Sequence, residues 1–400
     1  MGGYKYFKTV DTIFMMNWKL MTDDAITQEQ RNVLGDFVCN TSRITQGKLV
    51  REFENAWSDW LGCKHSVFVN SGSSANLLIV RALSDRLVKV GPFTQRKPLF
   101  ISQACTWSTA VSPIMQFSNL QLCDVDPFNF GPDLKCLRRI FETQKPEYLF
   151  LTHLLGFPAL TDELLELCTE HDVKIIEDCC ESHGAEFKGK KVGTHGIASS
   201  FSFYYGHHMT TIEGGMICTD DDDLYHELLL MRSHGLLREL PKEEQKLRMS
   251  DKVDPLFTFV RDGFNVRNTD LHAKLGLMQL PSLDESIKKR NENLKVFLDN
   301  IDSEKYHANY VQDGRSSFAF PIFTKGNNLQ RIKDKLKEIG VEYRPCIAGN
   351  LYQHPFMKSV TQYRFDNNAQ QIHDRCIYVG NHKDVTPDMI VALCAAINKL

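Results

Sequence analysis

Four short stretches of this chain carry residue types and spacings that could hold a flat, anionic ligand and move protons on it. The first, Asn70-Ser-Gly-Ser-Ser-Ala-Asn76, follows a β-like run and opens a helical one. Small residues there let backbone N–H groups approach an anion, and a helix N-terminus favours its charge. Gly72, Ser73 and Ser74 are therefore candidates to hold a phosphate, although the same residues would serve an ordinary capped helix start. The stretch is no P-loop, because the GK[ST] ending is absent. The second, Ile175-Ile-Glu-Asp-Cys-Cys-Glu-Ser-His-Gly-Ala185, ends an apolar run with an acidic pair. Asp178 could pair there with a protonated heterocyclic nitrogen, or cap the following turn. The third, Cys105-Thr-Trp-Ser108, offers Trp107 for stacking on a planar ligand or for packing. The fourth, SFYYGHHMTTIEGG from Ser202 to Gly215, sets His207 beside His208. An imidazole with an ordinary pKa of about 6.5 is suited to proton transfer near neutrality.

Positioning such groups requires a scaffold, and its elements are legible from residue 65 onward. Seven short apolar runs read as strands: HSVFVN, KPLFIS, LQLCDVD, EYLFLTH, VKIIEDC, SSFSFYY and GMICTD. Amphipathic stretches lie between several of them, including SANLLIVRALSDRLV, PDLKCLRRIFETQ and TDELLELCTEHD. Strands alternating with helices predict an α/β fold with a mostly parallel sheet covered on both faces. Ligands on such sheets sit at the carboxyl ends of strands, where the polar stretches above fall. A long helical segment from Thr269 through Asp299, interrupted at Pro281, predicts the connection to a second, smaller α/β unit. That unit holds SSFAFPIF, NLQRIKDKLKEIGVEYRP and the terminal helix PDMIVALCAAINKL.

Composition narrows the partners. The chain has 400 residues, 42% hydrophobic and 24% charged, with a formal charge of -3. This offers no basic field for nucleic acid or an anionic membrane surface. No segment approaches the ~20 apolar residues of a membrane helix. The twelve cysteines are scattered, with no CxxC pair, and the N-terminal MGGYKYFKTVDTIFMMNWKLM lacks a signal-peptide pattern. A soluble protein of the reducing cytoplasm is expected.

Taken together, the stretches resemble the sugar aminotransferase branch of the pyridoxal-phosphate (PLP) enzymes of fold type I, the DegT/DnrJ/EryC1/StrS family. Its members typically carry SGSxAN, EDxxxxxGA, SFxxxKxxTTGEGG and a GxNxR loop. Here they read NSGSSAN, EDCCESHGA, SFYYGHHMTTIEGG and GFNVR, in order, from about Leu49 to the C-terminus. The resemblance implies an aspartate aminotransferase-like fold: an N-terminal extension (1–48), a large PLP-binding domain (49–285) and a small C-terminal domain (286–400).

One position departs from the general pattern, because His207 stands where the cofactor-binding lysine belongs. No other lysine lies between Lys191 and Lys242, so ordinary transamination loses its proton shuttle. The same departure marks a subgroup, the 3-dehydratases of nucleotide-linked 4-keto-6-deoxy sugars. Its HHxxxxEGG, RxHG, GYNVR, RPxxxGN and VGNH appear here as HHMTTIEGG, RSHG, GFNVR, RPCIAGN and VGNH. A related subgroup binds an iron–sulfur cluster through cysteines that follow the histidine. This chain has none between Cys218 and Cys346, so neither a cluster nor any other metal is expected.

The resemblance implies PLP and its amine form (PMP) as cofactor, L-glutamate as amino donor, and removal of the C3 hydroxyl with release of ammonia. GDP-4-keto-6-deoxy-D-mannose is the expected substrate, with a GDP-4-keto-6-deoxyheptose or a CDP-sugar as alternatives. An aminotransferase, or an inactive PLP-fold binding protein, is the reading it competes with. His207 would be the catalytic base, while His208 is expected to face elsewhere on an extended segment and to serve structure. Gly72, Ser73, Ser74 and Ser202 would contact the phosphate, Asp178 the pyridine nitrogen, Trp107 the ring face, and Glu181 the cofactor. Asn265 would reach the phosphate of a neighbouring subunit, implying a homodimer with shared sites. His234, Arg344 and Asn350 would lie near the sugar-nucleotide. Gly206 stands where a relative of that subgroup has serine.

Overall fold

The structure is a computed structural model that describes residues 15–88, 97–249, 252–358, 360 and 367–400. The first fourteen residues, with part of the N-terminal apolar patch, lie outside it.

The seven apolar runs form one sheet. Its strands are β1 (His65–Val69), β2 (Leu99–Gln103), β3 (Asn119–Cys123), β4 (Tyr148–Thr152), β5 (Lys174–Asp178), β6 (Ala198–Ser202) and β7 (Gly215–Thr219). They pair in the order β1-β7-β6-β5-β4-β2-β3. Strands β2 through β6 run parallel, whereas β7 lies antiparallel to both β1 and β6. Strands β4, β6 and β7 are buried at every residue because helices cover both faces.

One face packs under α2 (Lys48–Leu61), whose Val50, Phe53, Trp57 and Leu61 recur at helical spacing and are all buried. Trp57 meets Phe201 and Phe203 edge-on, at 5.1 and 4.8 Å between ring centroids. Burying one such ring contributes roughly 1.5–3 kcal/mol. The helix stops at Gly62, whose φ of 87° is left-handed. The opposite face packs under α3 (Gly72–Val88), α4 (Ser108–Phe117) and α7 (Asp222–Arg232).

Strand β1 is an edge, and a buried ion pair closes it. Glu54 Oε1 accepts from the Phe68 N–H at 2.8 Å, and Arg232 Nη1 donates to the Phe68 carbonyl at 3.0 Å. The two side chains also meet each other at 2.6 Å. Edge backbone groups that would otherwise be unpaired are thus satisfied inside the protein.

The predicted break at Pro281 is present. Helix Asp270–Gln279 passes through a 3-10 turn at Leu280–Ser282 into helix Leu283–Asn300. A second sheet follows, in the order β8 (Ala319–Phe323), β10 (Cys376–Gly380), β9 (Tyr343–Pro345), all antiparallel. The N-terminal segment joins this sheet's core rather than standing apart. Trp18 is 1% exposed, bridges to Val341, and donates its indole N–H to the Gly380 carbonyl at 2.9 Å. Among the described residues no helix is long and apolar enough to cross a membrane.

Candidate active site

The carboxyl ends of β1, β2, β5 and β6 open on one cleft of about 370 Å³, roofed by residues of the second sheet. Ser71, Gly72 and Ser73 form one wall, where β1 turns into α3. Gly72 is required by packing: a Cβ there would stand 2.7 Å from Ser202 Cβ and 2.9 Å from Cys180 Sγ. Its absence brings the helix N-terminus against Ser202, so the corner presents backbone N–H groups and hydroxyls. That donor set fits a phosphate.

Asp178 ends β5 on the cleft floor, only 2% exposed. Its Oδ2 accepts from Asn76 Nδ2 at 2.9 Å and its Oδ1 from the Cys180 N–H at 3.1 Å. Among the described residues no lysine or arginine pairs with it, so this acidic group fits a protonated ring nitrogen. Asn76 belongs to the NSGSSAN stretch, yet its role is set by a contact across 102 positions of sequence.

Trp107 stands at the mouth, and its indole N–H donates to Glu181 Oε1 at 2.7 Å. Glu181 Oε2 accepts from the Leu155 N–H at 2.9 Å. Burial foremost raises the Glu181 pKa to about 7. Glu181 thus holds the tryptophan in place besides lining the cleft itself.

His207 lines the same cleft. The segment is a turn, not an extended strand, and the His207 N–H closes it on the Tyr204 carbonyl at 3.0 Å. Its ring contacts Tyr204 and Phe318, and its buried Nδ1 has no hydrogen-bond partner among the described residues. Burial first, and the Arg290 charge second, lower its pKa to about 3. The imidazole is therefore neutral at any ordinary pH, with one ring nitrogen free of a proton. Among the described residues no lysine lines this cleft.

His208 leaves the cleft because of the turn, and not by strand alternation. Its Nε2 donates to the Ser316 carbonyl at 3.1 Å. Its Nδ1 then accepts from His183 Nδ1 at 3.3 Å, the one tautomer pair that satisfies both contacts. His183 stacks on Phe203 at 5.7 Å and is buried with both neighbours. Nothing in its local sequence distinguishes His183 from a surface residue; its place follows from the fold.

The expected site residues divide. Gly72, Ser73, Trp107, Asp178, Glu181, Ser202, His207 and Arg344 line the cleft. Ser74 does not: its hydroxyl donates to Asn70 Oδ1 at 2.6 Å, and its N–H to Ser71 Oγ at 3.0 Å. Ser71 caps the helix through that second bond, and it is Ser71 that also lines the cleft. Asn350 is also elsewhere, accepting from the Tyr352 N–H and donating to Gln370 Oε1. His234, with a positive φ of 63°, and Asn265 are exposed and away from this chain's own cleft. Met21, Tyr204, Glu213, Phe318 and Tyr378 line the cleft without having been singled out. Tyr204 and Glu213 fall inside the SFYYGHHMTTIEGG stretch, whereas Met21, Phe318 and Tyr378 come from segments with no motif, so only packing reveals them.

One further cluster, His153–Glu177–Cys179, brings potential metal-binding atoms within 4.8 Å of one another. It is already satisfied. Glu177 accepts from the N–H groups of Gly193, His195 and Gly196, and from His153 Nε2. His153 Nδ1 accepts from the Ala159 N–H.

Comparison with known proteins assigns this geometry. The profile of the DegT/DnrJ/EryC1/StrS aminotransferase family matches residues 24–398. The chain belongs to that family. Among its DegT/DnrJ/EryC1/StrS relatives is GDP-4-keto-6-deoxy-D-mannose 3-dehydratase of Yersinia pseudotuberculosis. It is 33% identical over 363 residues, covering 86% of this chain and 90% of the relative. The Escherichia coli enzyme of the same name, solved with bound hydrated PLP, superposes with a TM-score of 0.86 at 31% identity. That match covers 96% of this chain and 99% of the other. A further structure of a GDP-4-keto-6-deoxymannose-3-dehydratase holds a trapped PLP-glutamate geminal diamine. It matches at a TM-score of 0.85 and 30% identity, over 95% of this chain and 99% of that one. The fold is that of the type I PLP enzymes, as the sequence motifs implied.

Proposed function

We propose that this protein is a PLP/PMP-dependent 3-dehydratase that removes the C3 hydroxyl of GDP-4-keto-6-deoxy-D-mannose, with glutamate as amino donor. The observation that carries the reading is a cleft fitted for the cofactor in which a neutral, half-buried imidazole, and among the described residues no lysine, stands at the reacting position. Two relatives bearing that enzyme's name, one of them with a PLP-glutamate adduct, support the substrate and the donor.

Gly72, Ser73 and Ser202 would hold the phosphate, Trp107 would cover one ring face, and Asp178 would keep the ring nitrogen protonated. When bound as PMP, the cofactor supplies an amine for the sugar's C4 ketone and an electron sink through which the C3 hydroxyl departs. His207 takes the proton from carbon and returns it to the leaving oxygen. Having no ε-amine, the side chain cannot capture the cofactor covalently, which disfavours return to amino transfer. Glutamate is oxidised to 2-oxoglutarate as the sugar is reduced at C3, and the amino group leaves as ammonia. This balance describes a step in 3,6-dideoxysugar formation for surface polysaccharide.

The exposed positions of Asn265 and His234 support a homodimer in which each subunit completes the other's site. Leu247, Leu256, Phe257 and Phe259, all more than half exposed, give the same region an apolar surface. The twelve unpaired thiols support a reducing, cytoplasmic setting.

The test is incubation with PLP, glutamate and GDP-4-keto-6-deoxymannose, followed by an ammonia assay and mass spectrometry. Ammonia with a product lighter by one oxygen is expected; an aminosugar product would establish amino transfer instead. His207→Lys should acquire visible absorbance from a covalent C=N link to PLP and lose dehydration. Dehydration surviving in that variant removes His207 from the mechanism.

A further inference from the structure

A second cavity, of about 380 Å³, lies on the far side of His207 from the cleft. The two share Leu20, Met21, Gly206, His207 and Phe318 as lining. What divides them is therefore one catalytic imidazole, one phenylalanine and two side chains of the N-terminal segment seated over a glycine.

That segment is fixed on both sides of Met21. The Leu20 N–H donates to Glu342 Oε2 at 3.1 Å, and His382 Nε2 donates to the Lys19 carbonyl at 3.0 Å. Beyond Met21, the Thr22 hydroxyl meets Asp384 Oδ2 at 2.5 Å and Lys383 Nζ reaches the Asp24 carbonyl at 2.6 Å. The Tyr205 hydroxyl donates to the Asp23 carbonyl at 2.9 Å, tying the strap to the turn that carries His207. The Gly380–Asp384 loop and the turn thus pin the backbone, and the Met21 side chain has little choice of position. It lies on Gly206: a Cβ added there would meet Met21 Cε at 3.2 Å and Sδ at 3.6 Å. The thioether fills the space that a side chain at position 206 would enter.

We infer that Met21 is a specificity-determining residue of this site. Its thioether, seated on Gly206, closes the sugar cleft off from the second cavity and limits the size of the sugar substituent the cleft admits. A serine at 206 would put a hydroxyl beside His207; methionine over glycine makes that edge of the site apolar and closed. The inference rests on the dehydratase reading given above, so its experiment separates the two.

Wild type and Met21→Ala are assayed with GDP-4-keto-6-deoxymannose and with the one-carbon-longer GDP-4-keto-6-deoxyheptose. Removing the thioether joins the cavities, so the ratio of kcat/KM for heptose over hexose should rise about 10-fold, mainly through KM. A ratio unchanged within about 2-fold overturns the inference. Met21→Phe adds bulk at the same place and should weaken binding of unreactive GDP-mannose, read by calorimetry, about 5-fold or more. Unaltered GDP-mannose affinity in that variant also overturns it, with no turnover needed. Failure of the functional reading has a different signature: wild type then releases no ammonia from either sugar.

Discussion

Acidification should destabilise this protein through the buried His183 and His208 and the half-buried His207, and His207 sets the scale. Its folded-state pKa is about 3, against about 6.5 in an unfolded chain. The folded state therefore binds fewer protons than the unfolded state throughout that interval. The stability it contributes is complete above about pH 6.5 and is lost as pH falls through the interval. At pH 5 the unfolded imidazole is about 1.5 units below its pKa, while the folded one is still neutral. At about 1.4 kcal/mol per unit, His207 alone costs about 2 kcal/mol relative to pH 8. His183 and His208 are shifted in the same direction, burial being the first cause for each. Both therefore add to the loss of stability on acidification. The assay is urea denaturation of the cofactor-free protein, followed by circular dichroism at pH 8 and pH 5, at one protein concentration. Wild type should lose about 2 kcal/mol more between those pH values than His207→Asn, which keeps a polar side chain but does not titrate. Equal losses in the two proteins, within about 0.5 kcal/mol, would refute the burial argument for His207.

Three further outcomes follow from the contacts. Gly72→Ala forces a methyl into Ser202 and Cys180, so it should cost about 1–3 kcal/mol in denaturation and weaken PLP binding in a spectroscopic titration. Glu54→Ala strands the Arg232 charge and the Phe68 N–H at the β1 edge, and should lower stability by about 3–5 kcal/mol. The double change Glu54→Leu with Arg232→Met should cost much less than the single one. Trp107 fluorescence should titrate with a midpoint near the Glu181 pKa of about 7, because protonation alters the acceptor of the indole N–H. Glu181→Gln should abolish that transition while leaving the emission of the other three tryptophans in place.

The strands were readable because each is a short apolar run bounded by polar turns, and both faces of the sheet need apolar cover. The break at Pro281 was readable because proline lacks the N–H that a continuous helix requires. The cleft was legible where residues adjoin strand ends: Gly72, Asp178, Trp107, Ser202 and His207 all do. Reading failed where position along the motif was taken for direction in space. Ser74 sits one residue beyond Ser73, and that step turns its hydroxyl onto Asn70 while Ser71 caps its N–H. Asn350 lies in a matching stretch, yet it is spent on Tyr352 and Gln370. His208 was assigned the right side for the wrong reason, because the chain turns at His207 rather than running straight.

By itself the sequence determined which chemistry is available: an imidazole in place of an amine, a carboxylate ending a strand, and a helix start made of small residues. These are properties of residue type and near-neighbour spacing, and they survive without coordinates. Tertiary structure decided what surrounds them. The depressed basicity of His207 comes from burial and from Arg290, 83 positions away, while Asn76 orients Asp178 across 102 positions. The wall at Met21 needs the N-terminal segment, the turn at Gly206 and the loop at Gly380 in one place. Burial and long-range contact are sums over atoms distant in sequence, so no local pattern records them.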